Sequence, residues 1–266
     1  MDIKKYIPTV IKALENASEK IMEIYAKDFK VDYKTDNSPV TKADITSSYI
    51  LTSYLNQFDI PIISEEEIKP NFEKRKNEPL IWLVDPLDGT REYIKKNNQF
   101  CICIALIKNG IPILGFIASP TEKKILFGGK SIGAYEVPFG SKNCTDEKFK
   151  LDKPKPNTSK VLVRSNAPLT DTSTDFISKL ESQVGEISQI NKGSAIKFFD
   201  LLHGNADFYI RLAPTMEWDI AAGQAIYETI GGEIRNYNTK EILTYNKKDL
   251  RNPHFLAKLN TQKLDY

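Results

Sequence analysis

The chain has 266 residues, of which 41% are hydrophobic and 27% are charged, and its formal net charge is +2. These values are typical of a folded globular protein and exclude a disordered chain, a collagen and a small disulfide scaffold. No stretch reaches the roughly 18 apolar residues of a membrane helix, and the basic residues form no stripe, so we expect neither an integral membrane segment nor a nucleic-acid partner.

Two helical patterns open the chain. Apolar residues spaced from Ile7 to Ile24 predict an amphipathic helix with Pro8 near its start. A polar turn follows at residues 34–39, and a second helical pattern then runs from Asp44 to Leu55. We expect both segments to bury one face against the body of the protein.

Four apolar runs then predict strands. Residues 60–63 and 80–84 read as short buried strands, and each runs directly into acidic residues. Residues 100–107 and 111–117 are separated by a turn that contains Asn109-Gly110. Asn-Gly between apolar runs predicts a β-hairpin, so we do not expect a purely parallel sheet.

A polar, proline-rich stretch at residues 151–160 is the predicted linker. It divides the chain into an N-terminal lobe, 1–152, and a C-terminal lobe, 153–266. Strands and helices alternate beyond it. The predicted strands are 161–163 and 208–210, and the predicted helices are 171–182, 194–202 and 220–229.

The cysteines and histidines limit the redox and metal chemistry. Cys101, Cys103 and Cys144 cannot all pair within one chain, and the sequence lacks an N-terminal apolar signal core, so we expect a reducing, cytoplasmic setting. Cys101 and Cys103 alternate in an apolar run and are expected to face one side of a buried strand, with metal or redox work as the alternative. Since His203 and His254 are the only histidines, a multi-histidine zinc site is excluded, and any metal must be held by carboxylates, which favour hard cations.

Residues 82–90, Trp-Leu-Val-Asp-Pro-Leu-Asp-Gly-Thr, are the most informative segment. An apolar strand leads into Asp85 and Asp88, and the carbonyl of Leu87 offers a third hard oxygen ligand. Gly89 allows backbone to approach a ligand closely, and a helix starting at Thr90 would point free amides at a phosphate. For the Asp-Gly-Thr tripeptide alone, a plain turn with a helix cap is the alternative.

Further acidic residues occur where a scaffold could hold them in a cleft. The candidate set is Asp44, Glu65, Asp85, Asp88 and Asp219. Five clustered negative charges would repel a phosphate, whereas two divalent cations supply four positive charges and three supply six. Two Mg²⁺ ions could clamp the attacking and leaving oxygens of an in-line displacement. An aspartyl-phosphate mechanism of the haloacid dehalogenase type needs Asp-x-Asp-x-Thr, and the spacing here is one residue longer, so a metal-activated water is the favoured nucleophile.

These motifs together resemble the lithium-sensitive, Mg²⁺-dependent phosphatase superfamily that includes inositol monophosphatase and fructose-1,6-bisphosphatase. The matching segments are residues 38–44, 64–66, 82–90 and 218–223. The resemblance implies an α/β fold, a layered α-β-α-β-α sandwich with a mainly antiparallel sheet in the first lobe, a smaller mixed sheet in the second, and the site between them. It also implies two or three Mg²⁺ ions and inhibition by lithium and calcium.

The resemblance also implies roles for individual residues. Glu65, Asp85 and the Leu87 carbonyl would bind the first metal, and Asp85, Asp88 and Asp219 the second. Asp44 and Thr90 would orient and deprotonate the attacking water, with Glu65 as a third catalytic residue. The Gly89 and Thr90 amides would bind the scissile phosphate. The resemblance also implies substrate contacts for Glu65, Leu87, Asp88 and Asp219.

A second set of residues resembles the 3′(2′),5′-bisphosphate nucleotidase branch. Ser194 and Lys197 are three apart, which would place them on one face near a helix start, and Arg211 lies at a predicted strand end. Together with Gly193 they would hold a second phosphate that is not cleaved, which implies adenosine 3′,5′-bisphosphate as the small-molecule substrate. Arg91 is a departure, because this branch often has Lys there.

Other functions and properties stay open. One alternative is an inositol monophosphatase or broad sugar-phosphate phosphatase of the same fold, although those enzymes usually carry Glu at the Arg211 position. Another is a non-catalytic nucleotide or metal sensor, which usually lacks a metal ligand. The choice between monomer and homodimer, and peripheral association with the inner membrane face, are also open.

Overall fold

The computed structural model describes residues 1–155, 157, 159–262 and 264. The predicted linker at 151–160 contains Pro156 and Thr158, which lie outside the described residues, and the division into lobes 1–152 and 153–266 stays a prediction. No helix in the described part of the chain combines the length and apolar character needed to cross a membrane.

The described residues form α-helices and β-strands, numbered here in chain order. The helices are α1 (Ile7–Tyr25), α2 (Lys42–Leu55), α3 (Phe72–Arg75), α4 (Thr90–Ile94), α5 (Asp171–Val184), α6 (Lys197–His203) and α7 (Glu217–Tyr227). The strands are β1 (Val31–Tyr33), β2 (Pro39–Thr41), β3 (Ile62–Ser64), β4 (Leu80–Asp88), β5 (Cys101–Lys108), β6 (Ile111–Ser119), β7 (Lys124–Gly129), β8 (Gly133–Pro138), β9 (Lys150–Leu151), β10 (Lys160–Arg164), β11 (Ile187–Asn191), β12 (Phe208–Arg211), β13 (Gly232–Asn236) and β14 (Phe255–Leu259).

The elements stack in five layers, which confirms the α-β-α-β-α sandwich. Helices α1 and α2 pack on one face of a seven-stranded sheet with the order β3-β4-β5-β6-β7-β8-β9. Helices α6 and α7 lie between its other face and a five-stranded sheet, β11-β10-β12-β14-β13. Helix α5 covers the outer face of that second sheet. One continuous hydrophobic core therefore joins the two sheets through α6 and α7.

The strand directions also agree with the sequence analysis. Every pair in the seven-stranded sheet is antiparallel except β3–β4. In the second sheet β10 runs parallel to β11 and β12, whereas β14 is antiparallel to β12 and β13. The predicted hairpin joins β5 to β6, and Asn109 and Gly110 have φ values of 49° and 79°, as a primed turn requires.

Successive side chains of β5 point to opposite faces of the seven-stranded sheet and pack in different hydrophobic clusters. Ile102 and Ile104 face α1 and α2, whereas Cys101 and Cys103 face the α6–α7 layer. Both cysteines are fully buried, so the prediction that they share one side of a buried strand is confirmed.

Several element boundaries differ from the predictions by a few residues, and those of β4 and α7 have a local physical reason. Strand β4 continues through Asp88, because a bulge between Asp85 and Asp88 lets pairing with β5 resume. Helix α7 begins at Glu217 rather than 220, because Asp219 accepts a hydrogen bond from the Met216 amide and caps the first turn. Helix α6 begins only at Lys197.

Small residues let α7 lie directly against the seven-stranded sheet. A Cβ added at Gly115 of β6 would overlap the backbone carbonyl of Ala222, and one added at Gly223 would overlap the ring of Phe198 on α6. The small residues Ala222 and Gly223 are therefore what allow this close packing. This close approach fixes α7, and with it Asp219, relative to the strands.

We expect Gly115→Ala to destabilise the protein by about 1–3 kcal/mol, because backbone on both sides must move to relieve the overlap. Chemical denaturation measures this change. Lys108→Ala, at an exposed position on the neighbouring strand, is the control and should change the free energy of unfolding by less than about 0.5 kcal/mol. Equal stability of the two variants would contradict the packing argument.

Candidate active site

Three carboxylates from separate elements meet at one end of the seven-stranded sheet. Oxygens of Glu65, Asp85 and Asp219 all lie within 4.8 Å of one another. Glu65 directly follows β3, and its amide donates to the carbonyl of Val84 at 3.1 Å, which ties it to β4. Asp85 lies within β4 and Asp219 in the first turn of α7. The predicted convergence of these three acids is confirmed.

Backbone amides orient these carboxylates. Oδ1 of Asp85 accepts from the Leu87 amide at 3.0 Å, and Oδ2 of Asp219 accepts from the Met216 amide at 2.9 Å. Among the described residues, no donor contacts the second oxygen of either side chain. Each carboxylate is therefore fixed by one oxygen and retains the other for a ligand.

Asp44 and Thr90 form the predicted pair. Asp44 is 1% exposed, and its Oδ2 accepts from the amide and hydroxyl of Thr41 at 2.7 and 2.6 Å. The Thr90 hydroxyl lies 2.9 Å from Oδ1 of Asp44 and 3.3 Å from the carbonyl of Leu87. A contact that the sequence analysis missed supports this loop, since the Ser47 hydroxyl donates to the Pro86 carbonyl at 2.7 Å. Ser47 lies one turn after Asp44 on α2, which is the only sequence signal for it.

Burial and mutual repulsion make the cluster unfavourable as a set of bare anions. Burial raises the pKa of Asp85 well above its usual range, and the charges of Glu65, Asp88 and Asp219 raise it further. Burial likewise raises the pKa of Asp219, with repulsion from Asp88 and Glu65. The pKa of Asp88 rises to about 6 through burial, although the Lys197 charge opposes this shift.

The donor set fits a hard divalent cation. The facing groups are carboxylate oxygens, and Mg²⁺ prefers oxygen ligands. Two ammonium groups of the described residues already lie beside Glu65. Nζ of Lys34 contacts the Glu65 carboxylate at 3.0 Å and that of Glu66 at 2.6 Å, and Nζ of Lys69 donates to the Glu65 carbonyl. These two positive charges are fewer than the negative charges of Glu65, Glu66, Asp85 and Asp219, so the site still favours cation binding.

Backbone geometry after β4 requires glycine. Gly89 has φ 96°, and an added Cβ would lie 2.9 Å from the Gln99 carbonyl. Helix α4 begins at the next residue, Thr90, so the predicted helix start is confirmed.

A cleft of about 400 Å³ adjoins the carboxylates. The predicted site residues that line it are Asp88, Gly89, Gly193, Ser194, Lys197, Arg211 and Asp219. The others, Asp44, Glu65, Asp85, Leu87 and Thr90, do not line it and are connected to it through the contacts described above. The sequence analysis missed the lining residues Lys95, Asn166 and Tyr209. Asn166 follows β10 as the acids follow their strands, but a lone Asn carries a weak signal.

Lys197 and Arg211, two of the four cations that line this cleft, have no carboxylate in salt-bridge contact among the described residues. Lys197 is 3% exposed, its Nζ lies 5.0 Å from the Tyr209 ring centroid, and it donates to the carbonyls of Lys192 and Ser194. Burial lowers the pKa of Lys197 to about 8, opposed by the Asp88 charge and reinforced by that of Arg211. Nε of Arg211 is buried without a hydrogen-bond partner in the described chain. Both groups could therefore gain from an anion.

The predicted shared helix face of Ser194 and Lys197 is wrong. Ser194 has φ 45° and precedes α6, whose first residue is Lys197. A left-handed residue cannot continue a helix, so the chain turns sharply there. The two residues nevertheless line the same cleft.

We expect Asp88→Asn to stabilise the metal-free protein at pH 7 by up to about 3 kcal/mol. Because burial raises the pKa of Asp88 to about 6, the native state binds its proton more tightly than the unfolded state does, and ionisation destabilises the fold. The gain should be absent near pH 4 and complete by about pH 7.

Denaturation with a chelator present, at several pH values, measures this difference. Asp249→Asn is the control, because the Asp249 side chain is largely exposed, and it should show no such pH-dependent gain. A gain for Asp88→Asn that is equal at pH 4 and pH 7 would contradict the electrostatic cause.

Comparison with known proteins bears on the whole chain. The model of the "Inositol monophosphatase family" matches residues 2–265. The 3′(2′),5′-bisphosphate nucleotidase CysQ of Salmonella typhimurium is 33% identical over 250 residues, 92% of this chain and 96% of that protein. The corresponding protein of Buchnera aphidicola is 35% identical over 240 residues, 88% of this chain and 85% of that one. The crystal structure of CysQ from Bacteroides thetaiotaomicron superposes with a TM-score of 0.86 at 34% identity, covering 98% of this chain and 99% of that chain.

Proposed function

Because the chain belongs to the inositol monophosphatase family, we propose that it hydrolyses the 3′-phosphate of adenosine 3′,5′-bisphosphate to give AMP and phosphate, with Mg²⁺ as cofactor. One observation carries this proposal. A single cleft contains carboxylates suited to cations, Asp88 and Asp219, together with Lys197 and Arg211, two cations that form no salt bridge with any carboxylate of the described residues. The names of the nucleotidase relatives, which are 33–35% identical, agree with it.

The carboxylates would hold the cofactor. Glu65, Asp85 and the Leu87 carbonyl are the proposed ligands of one ion, and Asp85, Asp88 and Asp219 those of a second. When bound, Mg²⁺ supplies charge neutralisation, polarises the phosphoryl group and acidifies the attacking water. The raised pKa values of Asp85 and Asp219 support this assignment, because a nearby cation would remove the repulsion that causes part of each shift.

Asp44 and Thr90 would handle the proton of the attacking water. The 2.9 Å hydrogen bond to Asp44 fixes the Thr90 hydroxyl, which can then accept a hydrogen bond from that water. Burial raises the pKa of Asp44 and so makes it a stronger base. The water oxygen would bond to phosphorus as the bond to the 3′-oxygen breaks; the water gives up a proton towards Thr90 and Asp44, and the departing 3′-oxygen takes up a proton to become the 3′-hydroxyl. Glu65, with its carboxylate beside the cluster, would help to orient the water.

The 5′-phosphate would remain intact on the cationic side of the cleft. Lys197 supplies a buried ammonium and Arg211 a guanidinium whose Nε lacks a partner in the described chain. Ser194 adds a hydroxyl, and Gly193 allows close approach of backbone. The Gly89 and Thr90 amides would face the scissile phosphate.

A comparison of substrates tests the proposal. With Mg²⁺ present, phosphate release from adenosine 3′,5′-bisphosphate should exceed that from inositol 1-phosphate in kcat/KM, and exhaustive chelation should abolish both. A preference for the inositol ester would overturn the substrate assignment in favour of a monophosphatase. Turnover unaffected by chelation would overturn the metal-dependent mechanism.

Variants of the second-phosphate site give a sharper test. Lys197→Ala and Arg211→Glu should each raise KM for adenosine 3′,5′-bisphosphate by about ten- to hundredfold, because each removes a charge-assisted hydrogen bond. The KM for adenosine 3′-monophosphate, which lacks that phosphate, should change far less. The exposed residues Lys248 and Arg251 provide the matched controls, Lys248→Ala and Arg251→Glu. Equal effects on both substrates would contradict the assigned role.

A further inference from the structure

A pair of thiols lies directly behind the cleft. The Sγ atoms of Cys101 and Cys103 are 3.9 Å apart, and Cys101 Sγ lies 3.7 Å from Oδ2 of Asp88 and 3.5 Å from Oγ of Ser194. Ligand atoms of Asp88, Cys101 and Cys103 all lie within 4.8 Å of one another. The proposed phosphatase reaction uses neither cysteine.

The β4 bulge creates this juxtaposition. Asp85 pairs with Cys103 across the strands, and after the bulge Asp88 pairs with Cys101. Each carboxylate of β4 is therefore set beside a thiol of β5. Both cysteines point to the same side of β5, so the thiols form a second ligand group adjoining the carboxylates.

From this geometry we propose that Asp88, Cys101 and Cys103 form a binding site for a thiophilic divalent cation such as Zn²⁺ or Cd²⁺. Zn–S bonds of about 2.3 Å at tetrahedral angles place two sulfurs about 3.8 Å apart, and a sulfur and a carboxylate oxygen about 3.6 Å apart. Two of the observed separations, 3.9 and 3.7 Å, are close to these values, and the third, between Cys103 and Asp88, is within 4.8 Å. Binding displaces the two thiol protons to solvent.

The cleft gives the cation a path to the thiols. Both cysteines are fully buried, but Asp88 and Ser194 line the cleft and both contact Cys101. The Ser194 hydroxyl, 3.5 Å from Cys101 Sγ, is the candidate fourth ligand. A cation entering the cleft would therefore meet Asp88 first and reach the sulfurs from it.

Asp88 is a proposed ligand of Mg²⁺ and also of the thiophilic cation. Binding of either cation should therefore weaken binding of the other. Soft sulfur ligands select Zn²⁺ and Cd²⁺, whereas Mg²⁺ selects oxygens, so the two kinds of cation compete only through the shared carboxylate. A thiophilic cation would thus inhibit turnover by withdrawing Asp88. This consequence for turnover rests on the proposed function, whereas binding itself does not.

Titration of the reduced protein with Cd²⁺ tests binding directly, because cadmium–thiolate bonds give an ultraviolet charge-transfer band. We expect one Cd²⁺ per chain, and an apparent affinity that falls as Mg²⁺ is added. Cys101→Ala and Cys103→Ala should each weaken binding at least about tenfold, since even changes beyond the direct ligands cost about 10–100-fold. Cys144→Ala is the matched control and should leave the band and affinity unchanged.

A second Cd²⁺ titration uses the Asp88→Asn variant, which retains both thiols. This variant should retain the charge-transfer band, bind Cd²⁺ more weakly than the wild type does, and show no competition by Mg²⁺. If a cysteine variant fails to fold, as circular dichroism would reveal, the wild-type and Asp88→Asn titrations test the proposal without it. Absence of the band in the wild type, or its loss in Cys144→Ala, would overturn the proposal. Wild-type Cd²⁺ binding indifferent to Mg²⁺ would overturn only the sharing of Asp88 between the two kinds of cation. Cd²⁺ binding without phosphatase activity would overturn the proposed function alone.

Discussion

Repulsion between clustered carboxylates is the constraint on which the rest of the structure depends. Glu65, Asp85 and Asp219 come from three elements and are held within 4.8 Å, although their charges disfavour that arrangement. The fold must supply the energy that keeps them together. Parallel pairing of β3 with β4 fixes two of them, and contact between α7 and the sheet at Gly115 fixes the third. The sandwich therefore holds the acids in place before any ligand arrives.

Local hydrogen bonds fix the orientation of the acidic side chains and also stabilise the helices that carry them. Asp44 and Asp219 each occupy the third position of a helix and accept from the backbone amide at its N-cap. One carboxylate oxygen thus caps the helix, which restricts the side chain to one orientation. At these positions one side chain both caps a helix and supplies a carboxylate to the site. Removing either side chain would therefore lose the cap and the carboxylate together. Asp88 differs, because it accepts from the amide of Ala195, a residue distant in sequence.

The sequence predicted features that depend on local patterns and missed those that depend on distant partners. Helix α1 follows from its apolar spacing, the hairpin from Asn109-Gly110, and the acid cluster from apolar strands that run into carboxylates. The sharp turn at Ser194 was missed, because no local signal requires a non-glycine residue to adopt φ 45°. The bulge that sets Cys101 beside Asp88 was missed for a related reason, since register across strands is a property of the sheet.

The two kinds of charge in the cleft depend on one another. Lys197 is buried, and among its neighbours the Asp88 charge favours its protonated form while that of Arg211 opposes it. A cation bound at Asp88 would cancel that support and leave Lys197 and Arg211 as neighbouring positive charges. An anion beside them restores the balance. Under the proposed function, the cofactor and the uncleaved phosphate should therefore favour each other's binding, and a bisphosphate should suit this cleft better than a monophosphate because it satisfies both charge requirements at once.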